Sequence, residues 1–310
     1  MAKTAKSPAD YILPLYINGL EGRMMRVPAK RGHKREILFI YGHHSSLERW
    51  WGLADELSKF GNVTVPDLPG FGGMQSLYKI GQQANLDNLA DYLAAFIKLR
   101  YRNKKVTIAA MSLGFAVTTR MLQRYPDLTK KVNLLISIVG CAHKDDFKFS
   151  KKLAFLYRLA GRTLSRKLPA YCFQHLVLRP SLIRRVCHRG HNSKEKFIGI
   201  SGDEFSRTME TEVILWKIND IRTWGKTLLE MLTLDNCNKR VDLPVYHVAT
   251  KKDKYFDNNS VEEHMRRIFS DFQVFYTKVP NHAPTIIADA KTAAPFIPVE
   301  LRKMMSKKVI

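Results

Sequence analysis

Eight short runs of apolar, largely β-branched residues recur along this chain, and amphipathic helical spacing separates most of them. "YILPLYI" (11–17) and "GRMMRVPA" (22–29) flank Asn18-Gly19, a dipeptide suited to a tight hairpin turn. "ILFIY" (37–41), "NVTVPD" (62–67), "KVTIAAM" (105–111) and "VNLLISIVG" (132–140) follow, and after a long gap come "PVYHVAT" (244–250) and "FQVFYTKV" (272–279). Strands this apolar must be covered on both faces, which predicts a mostly parallel eight-stranded sheet with flanking helices, an α/β fold. Leu47, Trp50 or Trp51, Ala54 and Leu57 form one helical stripe, and Leu86, Leu89, Leu93 and Phe96 another. Such stripes predict core packing and carry no function of their own.

Between residues 141 and 242 the strand signal fades into short helical segments broken by Pro169, Pro180 and Gly190. The expected organisation is a core of residues 1–140 and 243–310 with a helical, basic cap, 141–242, inserted after the sixth strand. At 310 residues and 45% hydrophobic, the chain has enough apolar material for one large core. No run approaches the roughly 20 apolar residues of a membrane span. The N-terminal stretch, broken by Pro14 and Asn18 and without a small-residue cleavage site, reads as mature protein. Four scattered cysteines (141, 172, 187 and 237) fit reduced thiols and a cytoplasmic protein better than a disulfide framework.

The stretch "KKVTIAAMSLGFAVTTRML" (104–122) sets the chemistry. A buried strand ends on Ser112, and a helix pattern starts at once. That turn lifts the hydroxyl above the carboxyl edge of the sheet and aims the helix's free N–H groups, with its positive end, at the same place. It requires small residues two positions to either side, here Ala110 and Gly114. "A-M-S-L-G" resembles the nucleophile elbow of the α/β-hydrolase superfamily, usually G-x-S-x-G, with alanine in place of the first glycine.

The resemblance extends to the other parts a serine nucleophile needs, a base and an acid that orients it. "KKDKYFD" is similar to the family's acid loop and puts Asp253 in the matching position. "VPNHAPT" resembles its histidine turn and puts His282 there. "ILFIYGHHSS" resembles the oxyanion loop, with Tyr41 replacing a histidine, and implies an oxyanion hole formed by the backbone N–H groups of His43 and Leu113. "DLPGFGG" (67–73) matches the loop after the fourth strand. The resemblance covers about residues 11–140 and 243–300 and implies a serine esterase or lipase-like hydrolase with no cofactor and a small-molecule acyl substrate. Asp257, or Asp145 and Asp146 just after the sixth strand, are alternatives to Asp253 as the acid. Serine at the elbow, where haloalkane dehalogenases and epoxide hydrolases carry aspartate, argues against those two chemistries.

Metal binding is not expected. His43 and His44 have no carboxylate or cysteine at ligand spacing, and in "CFQHLVLRPSLIRRVCHRGH" the near-zinc spacing of Cys172, His175, Cys187, His188 and His191 falls partly on an apolar helix face. The formal charge of +23 is the other deviation. Basic residues crowd the first half of the cap, and Arg158, Arg162 and Arg166 follow at steps of four. This predicts either a solvated face or a basic amphipathic lobe peripheral to an anionic membrane. No nucleic-acid-binding motif accompanies the charge, so no specific nucleic-acid partner is expected. The rival to an enzyme is a non-catalytic scaffold that docks through this lobe.

Overall fold

The computed structural model describes residues 7–30, 32–189, 202–277, 279, 282 and 289–306. The eight strands are β1 (Ile12–Ile17), β2 (Leu20–Val27), β3 (Glu36–Ile40), β4 (Asn62–Pro66), β5 (Val106–Met111), β6 (Val132–Ile138), β7 (Val241–Thr250) and β8 (Phe269–Thr277). They form one sheet in the order β1-β2-β4-β3-β5-β6-β7-β8. β2 runs antiparallel to β1 and to β4, and every other pairing is parallel. The β1–β2 hairpin turns where expected: Asn18 and Gly19 both take positive φ, 51° and 76°, as a turn matched to the strand twist demands.

The central strands are buried on both faces because helices cover each side. α1 (Trp51–Leu57), α2 (Leu86–Arg100) and α3 (Leu113–Arg124) turn their apolar stripes inward. Leu86, Leu89, Leu93 and Phe96 are all buried, and Asn85 caps α2 by accepting from the N–H of Asn88 at 2.8 Å. Of the two adjacent tryptophans, Trp50 enters the core, whereas the partly exposed Trp51 stacks on Tyr11 at 5.2 Å between ring centroids.

The chain winds from β3 outward to β4 and then returns past β3 to lay β5 on its other side. The loops after β3 and β5 therefore leave neighbouring strands in opposite directions and open a crevice at the carboxyl edge, the usual ligand position in an open α/β sheet.

β7 and β8 each begin three residues before their apolar runs. Val241 pairs with Phe269, and the ladder is irregular before Pro244, which has no N–H to donate. Exposed Asp242, Ser270 and Asp271 hide these first pairs from a reading by hydrophobicity.

Between β6 and β7 the described residues are largely helical. α4 (Lys151–Leu164), α5 (Lys167–Cys172) with a π-turn at Phe173–Val177, and α6 (Pro180–Arg189) precede helices over Gly202–Ile218 and Ile221–Leu232. α4 lies against the Ile221–Leu232 helix with Gly161 facing Gly225: a Cβ on Gly161 would stand 3.0 Å from the Gly225 carbonyl oxygen. Two small apolar clusters hold these helices together, Ile183 with Met209 and Val213, and Leu164 with Ala170 and Ile221.

Candidate active site

β5 ends at Met111, and Ser112 takes φ 48° and ψ −120°, a conformation that L-residues other than glycine adopt only under strain. It occupies the N-cap position of α3, yet its side chain makes no capping hydrogen bond. The hydroxyl is thus not consumed by the commonest structural role of a serine at such a place. Two glycines make the turn feasible. A Cβ on Gly114 would lie 2.4 Å from the Tyr41 carbonyl oxygen and 2.6 Å from that of Ile40, so α3 starts in backbone contact with the end of β3. A Cβ on Gly42 would stand 3.2 Å from the Ser112 Cβ and 3.8 Å from its Oγ, crowding the space above the hydroxyl. His44 (φ 54°) and Val139 (φ 39°) also hold positive φ, just past β3 and β6. Strain therefore gathers along one edge of the sheet, at the crevice.

The loop after β3 is anchored by a buried network that the sequence did not reveal. Tyr41 donates its hydroxyl proton to Asp67 Oδ1 at 2.8 Å and accepts from the N–H of Leu68 at 3.0 Å. The other Asp67 carboxylate oxygen accepts from Gly73 N–H and Arg23 Nε, and Tyr92 donates to the Asp67 carbonyl. Burial pushes the Asp67 carboxyl up to about 6, against the opposing pull of Arg23, the Gly73 N–H and Tyr41. Tyr41 thus ties the loop after β3 to the loop after β4. The only available signal was Tyr41 standing where a histidine was expected, ahead of "DLPGFGG".

His43 and His44 follow Gly42. The Nε2 of His43 lies 3.2 Å from the carbonyl oxygen of Trp224; a carbonyl only accepts, so Nε2 carries the proton. Burial lowers the His43 pKa to about 4, with the Trp224 carbonyl pulling the other way, and the ring is neutral at pH 7. Asn219 donates from Nδ2 to His44 Nδ1 at 3.1 Å and accepts from the N–H of Gly72 at 2.8 Å. An aromatic wall adjoins both rings, with Phe71 and Trp224 each 5.6 Å from His43 and Trp216 4.2 Å from His44.

Beyond β7 and β8 the imidazole meets its carboxylate. His282 Nδ1 lies 2.7 Å from Asp253 Oδ2. Asp253 is buried in the turn after β7, and its Oδ1 accepts from the N–H groups of Tyr255 (2.8 Å) and Phe256 (3.0 Å). Burial alone would raise this carboxyl. The His282 hydrogen bond and charge, with the two backbone N–H groups, outweigh burial and hold it below the usual carboxylate range. Tyr255 and Phe256 present ring edges to the imidazole at 5.0 and 5.1 Å.

The alternative acids are engaged elsewhere. Asp146 is fully buried, accepts from the N–H groups of Ala142 and His143, and lies 2.6 Å from His264 Nδ1. Asp257 caps the helix Asn258–Ile268 through the N–H of Ser260. Asp145 is exposed beside His143 and Lys144. The structure brings Gly42 to Ser112 and Asp253 to His282; among the described residues no hydrogen bond joins Ser112 to His282.

Among the described residues no group of three or more histidines, cysteines and carboxylates is placed to hold a metal ion. His191 and the side chains of Cys187 and His188 lie outside what is described, while His175 packs its ring on Tyr171 at 4.3 Å. Cys141, Cys172 and Cys237 are free thiols. No described helix is long and apolar enough to cross a membrane.

Comparison with known proteins agrees with this architecture. A thermophilic esterase from Thermogutta terrifontis is 17% identical with a TM-score of 0.61, the match covering 96% of this chain and 98% of that one. An epoxide hydrolase is 13% identical with a TM-score of 0.64, over 95% and 97% of the two chains. A membrane phospholipase A described as a bacterial virulence factor is 13% identical with a TM-score of 0.65, over 95% and 86%. At these identities the likeness speaks for the fold. No curated protein matches the chain. Residues 31–284 match the model of the serine aminopeptidase S33 family, and the chain belongs to that family of α/β-hydrolases.

Proposed function

We propose that the protein is a serine hydrolase that cleaves a carboxylic ester through an acyl-enzyme. In this reading Ser112 is the nucleophile, His282 the general base and Asp253 its orienting acid, with no cofactor taking part. The observation that carries it is the strained Ser112 backbone, whose hydroxyl is left out of helix capping and opens towards the cleared space at Gly42.

The Asp253 carboxylate accepts from Nδ1 of His282, which leaves Nε2 as the basic nitrogen. Nε2 takes the Ser112 proton as the oxygen attacks the acyl carbonyl, and Asp253 stabilises the imidazolium that forms. The N–H groups of His43 and Leu113 hold the tetrahedral oxyanion; that of Leu113 is available because the first N–H groups of a helix have no acceptor within it. Imidazolium then protonates the leaving alkoxide. A water molecule, deprotonated by the same nitrogen, releases the acid and restores Ser112.

The aromatic side chains of Phe71, Trp216 and Trp224 beside the oxyanion loop favour an apolar acyl group. The helices between β6 and β7 would then act as a cap that selects substrate.

A fluorophosphonate probe tests the reading. Labelling of the wild type and not of Ser112→Ala is expected, and absence of labelling in both would favour a non-catalytic scaffold. A panel of p-nitrophenyl esters of graded chain length, set against amino-acid p-nitroanilides, should show ester turnover.

A further inference from the structure

From residue 147 to residue 189 the chain carries eleven lysines and arginines and no aspartate or glutamate. Among the described residues, the same segment holds half of the exposed large hydrophobic side chains. Phe155, Leu156 and Leu159 on α4 are 65, 57 and 52% exposed, and Leu168, Tyr171 and Leu176 just beyond are 71, 61 and 64% exposed.

The arrangement is ordered. α4 turns Gly161 and Leu164 inward against Gly225 of the Ile221–Leu232 helix. Opposite them, Lys151, Phe155, Leu159 and Arg162 follow at helical steps of four, four and three along the outer face, all exposed. Lys152 and Leu156 flank that row. On the next helical segment Leu168, Tyr171 and His175 repeat the pattern at steps of three and four, with Arg166 and Lys167 exposed at its start. Large side chains that water disfavours are thus set among cations, where a merely solvated face would carry polar residues.

We infer that the outer face of α4, continued by α5, is a docking surface for an anionic lipid bilayer. Phe155 and Leu159 enter the boundary between headgroups and acyl chains, while Lys151, Lys152 and Arg162 contact lipid phosphates. Two other occupants fit less well. A second copy meeting through the same patch would press lysines and arginines against their own kind, with no carboxylate between residues 147 and 189 to offset them. A nucleic acid would satisfy the cations and leave the leucines and phenylalanine in water. The inference does not depend on the chemistry assigned to Ser112.

The test is co-sedimentation of the full chain with vesicles of phosphatidylcholine alone and of phosphatidylcholine with a minority of phosphatidylserine. Partition to the acidic vesicles is expected to be at least about ten-fold stronger and to weaken as salt rises. Lys151→Glu with Lys152→Glu should remove that preference. Phe155→Ser with Leu159→Ser should weaken binding to acidic vesicles by about ten-fold, since two large apolar groups no longer leave water. All four positions are exposed, and circular dichroism matching the wild type checks that the variants fold. Equal affinity for both vesicle types, no binding to either, or variants that bind as the wild type does would overturn the inference. So would a wild-type dimer that Phe155→Ser with Leu159→Ser converts to monomer.

Discussion

Replacing Ser112 by glycine should make the protein more stable while leaving it unreactive towards an active-site probe. Ser112 holds φ 48° and ψ −120°, a region open to glycine and costing other residues roughly 1–3 kcal/mol. Glycine offsets part of that relief through its greater freedom in the unfolded chain, about 0.5–1 kcal/mol. Little else is lost, because the hydroxyl makes no capping bond. The net expectation is a gain of about 1 kcal/mol. Ser112→Ala is the control, since it also lacks the hydroxyl but keeps the strained backbone, and its stability should lie within about 0.5 kcal/mol of wild type. Urea unfolding reads the difference as a shifted midpoint at unchanged slope, and thermal unfolding as a rise of about 2 °C. If the glycine variant proves no more stable than the alanine variant, backbone strain is not stored at Ser112, and the elbow is an ordinary helix start.

Two further expectations concern protons. Asp253→Asn should leave the fold intact but lower kcat on an ester by about four orders of magnitude, because the amide no longer fixes the His282 tautomer or stabilises its cation; single-turnover kinetics check it, and near-normal turnover would remove Asp253 from the mechanism. His247, buried on β7 with its Nδ1 2.8 Å from Ser137 Oγ, has its pKa lowered by burial to about 4. Its neutral form is the folded one, so the stability it contributes is fully present above the ordinary value of about 6.5 and is lost as pH falls towards 4, about 2 kcal/mol of it by pH 5. His247→Asn should flatten urea midpoints measured between pH 7.5 and 5.0 by about that amount, and a variant with the same pH slope as wild type would place the acid sensitivity elsewhere.

The fold was legible because its central strands are apolar on both faces. β5 reads "VTIAAM" and every residue of it is buried, so periodicity and burial say the same thing. The reading departs furthest from the structure where this coupling breaks. The first residues of β7 and β8 pair at the sheet edge with exposed Asp242, Ser270 and Asp271, and nothing apolar marks them as strand. In the same way, Trp50 and Trp51 compete for one helical stripe in the sequence, and tertiary contacts separate them: Trp50 packs on Phe39 and donates to Ser45, whereas Trp51 stacks on Tyr11.

The site was legible to the extent that it rests on backbone geometry. A turn such as that at Ser112 admits only small residues two positions away, and Gly114, pressed against the carbonyls of Ile40 and Tyr41 at the end of β3, writes that constraint into one short stretch of chain. Side-chain networks leave no comparable trace. Asp146 stands as an alternative to Asp253 for the imidazole because it too lies just past a strand end; its partner is His264, 118 positions away. The brace between Tyr41 and Asp67 was invisible for the same reason, since each member satisfies a partner from another segment. The Asp146 network also has a consequence for the acid loop. The carbonyl of Asp146 accepts from the N–H of Asp257 at 2.7 Å, and Lys148 donates from its ammonium to the Asp253 carbonyl at 3.0 Å. The loop after β6 therefore braces the loop after β7 through the Asp146 main-chain carbonyl and the Lys148 side chain, and the Asp146 carboxylate acts one step back, fixing its own loop through the N–H groups of Ala142 and His143.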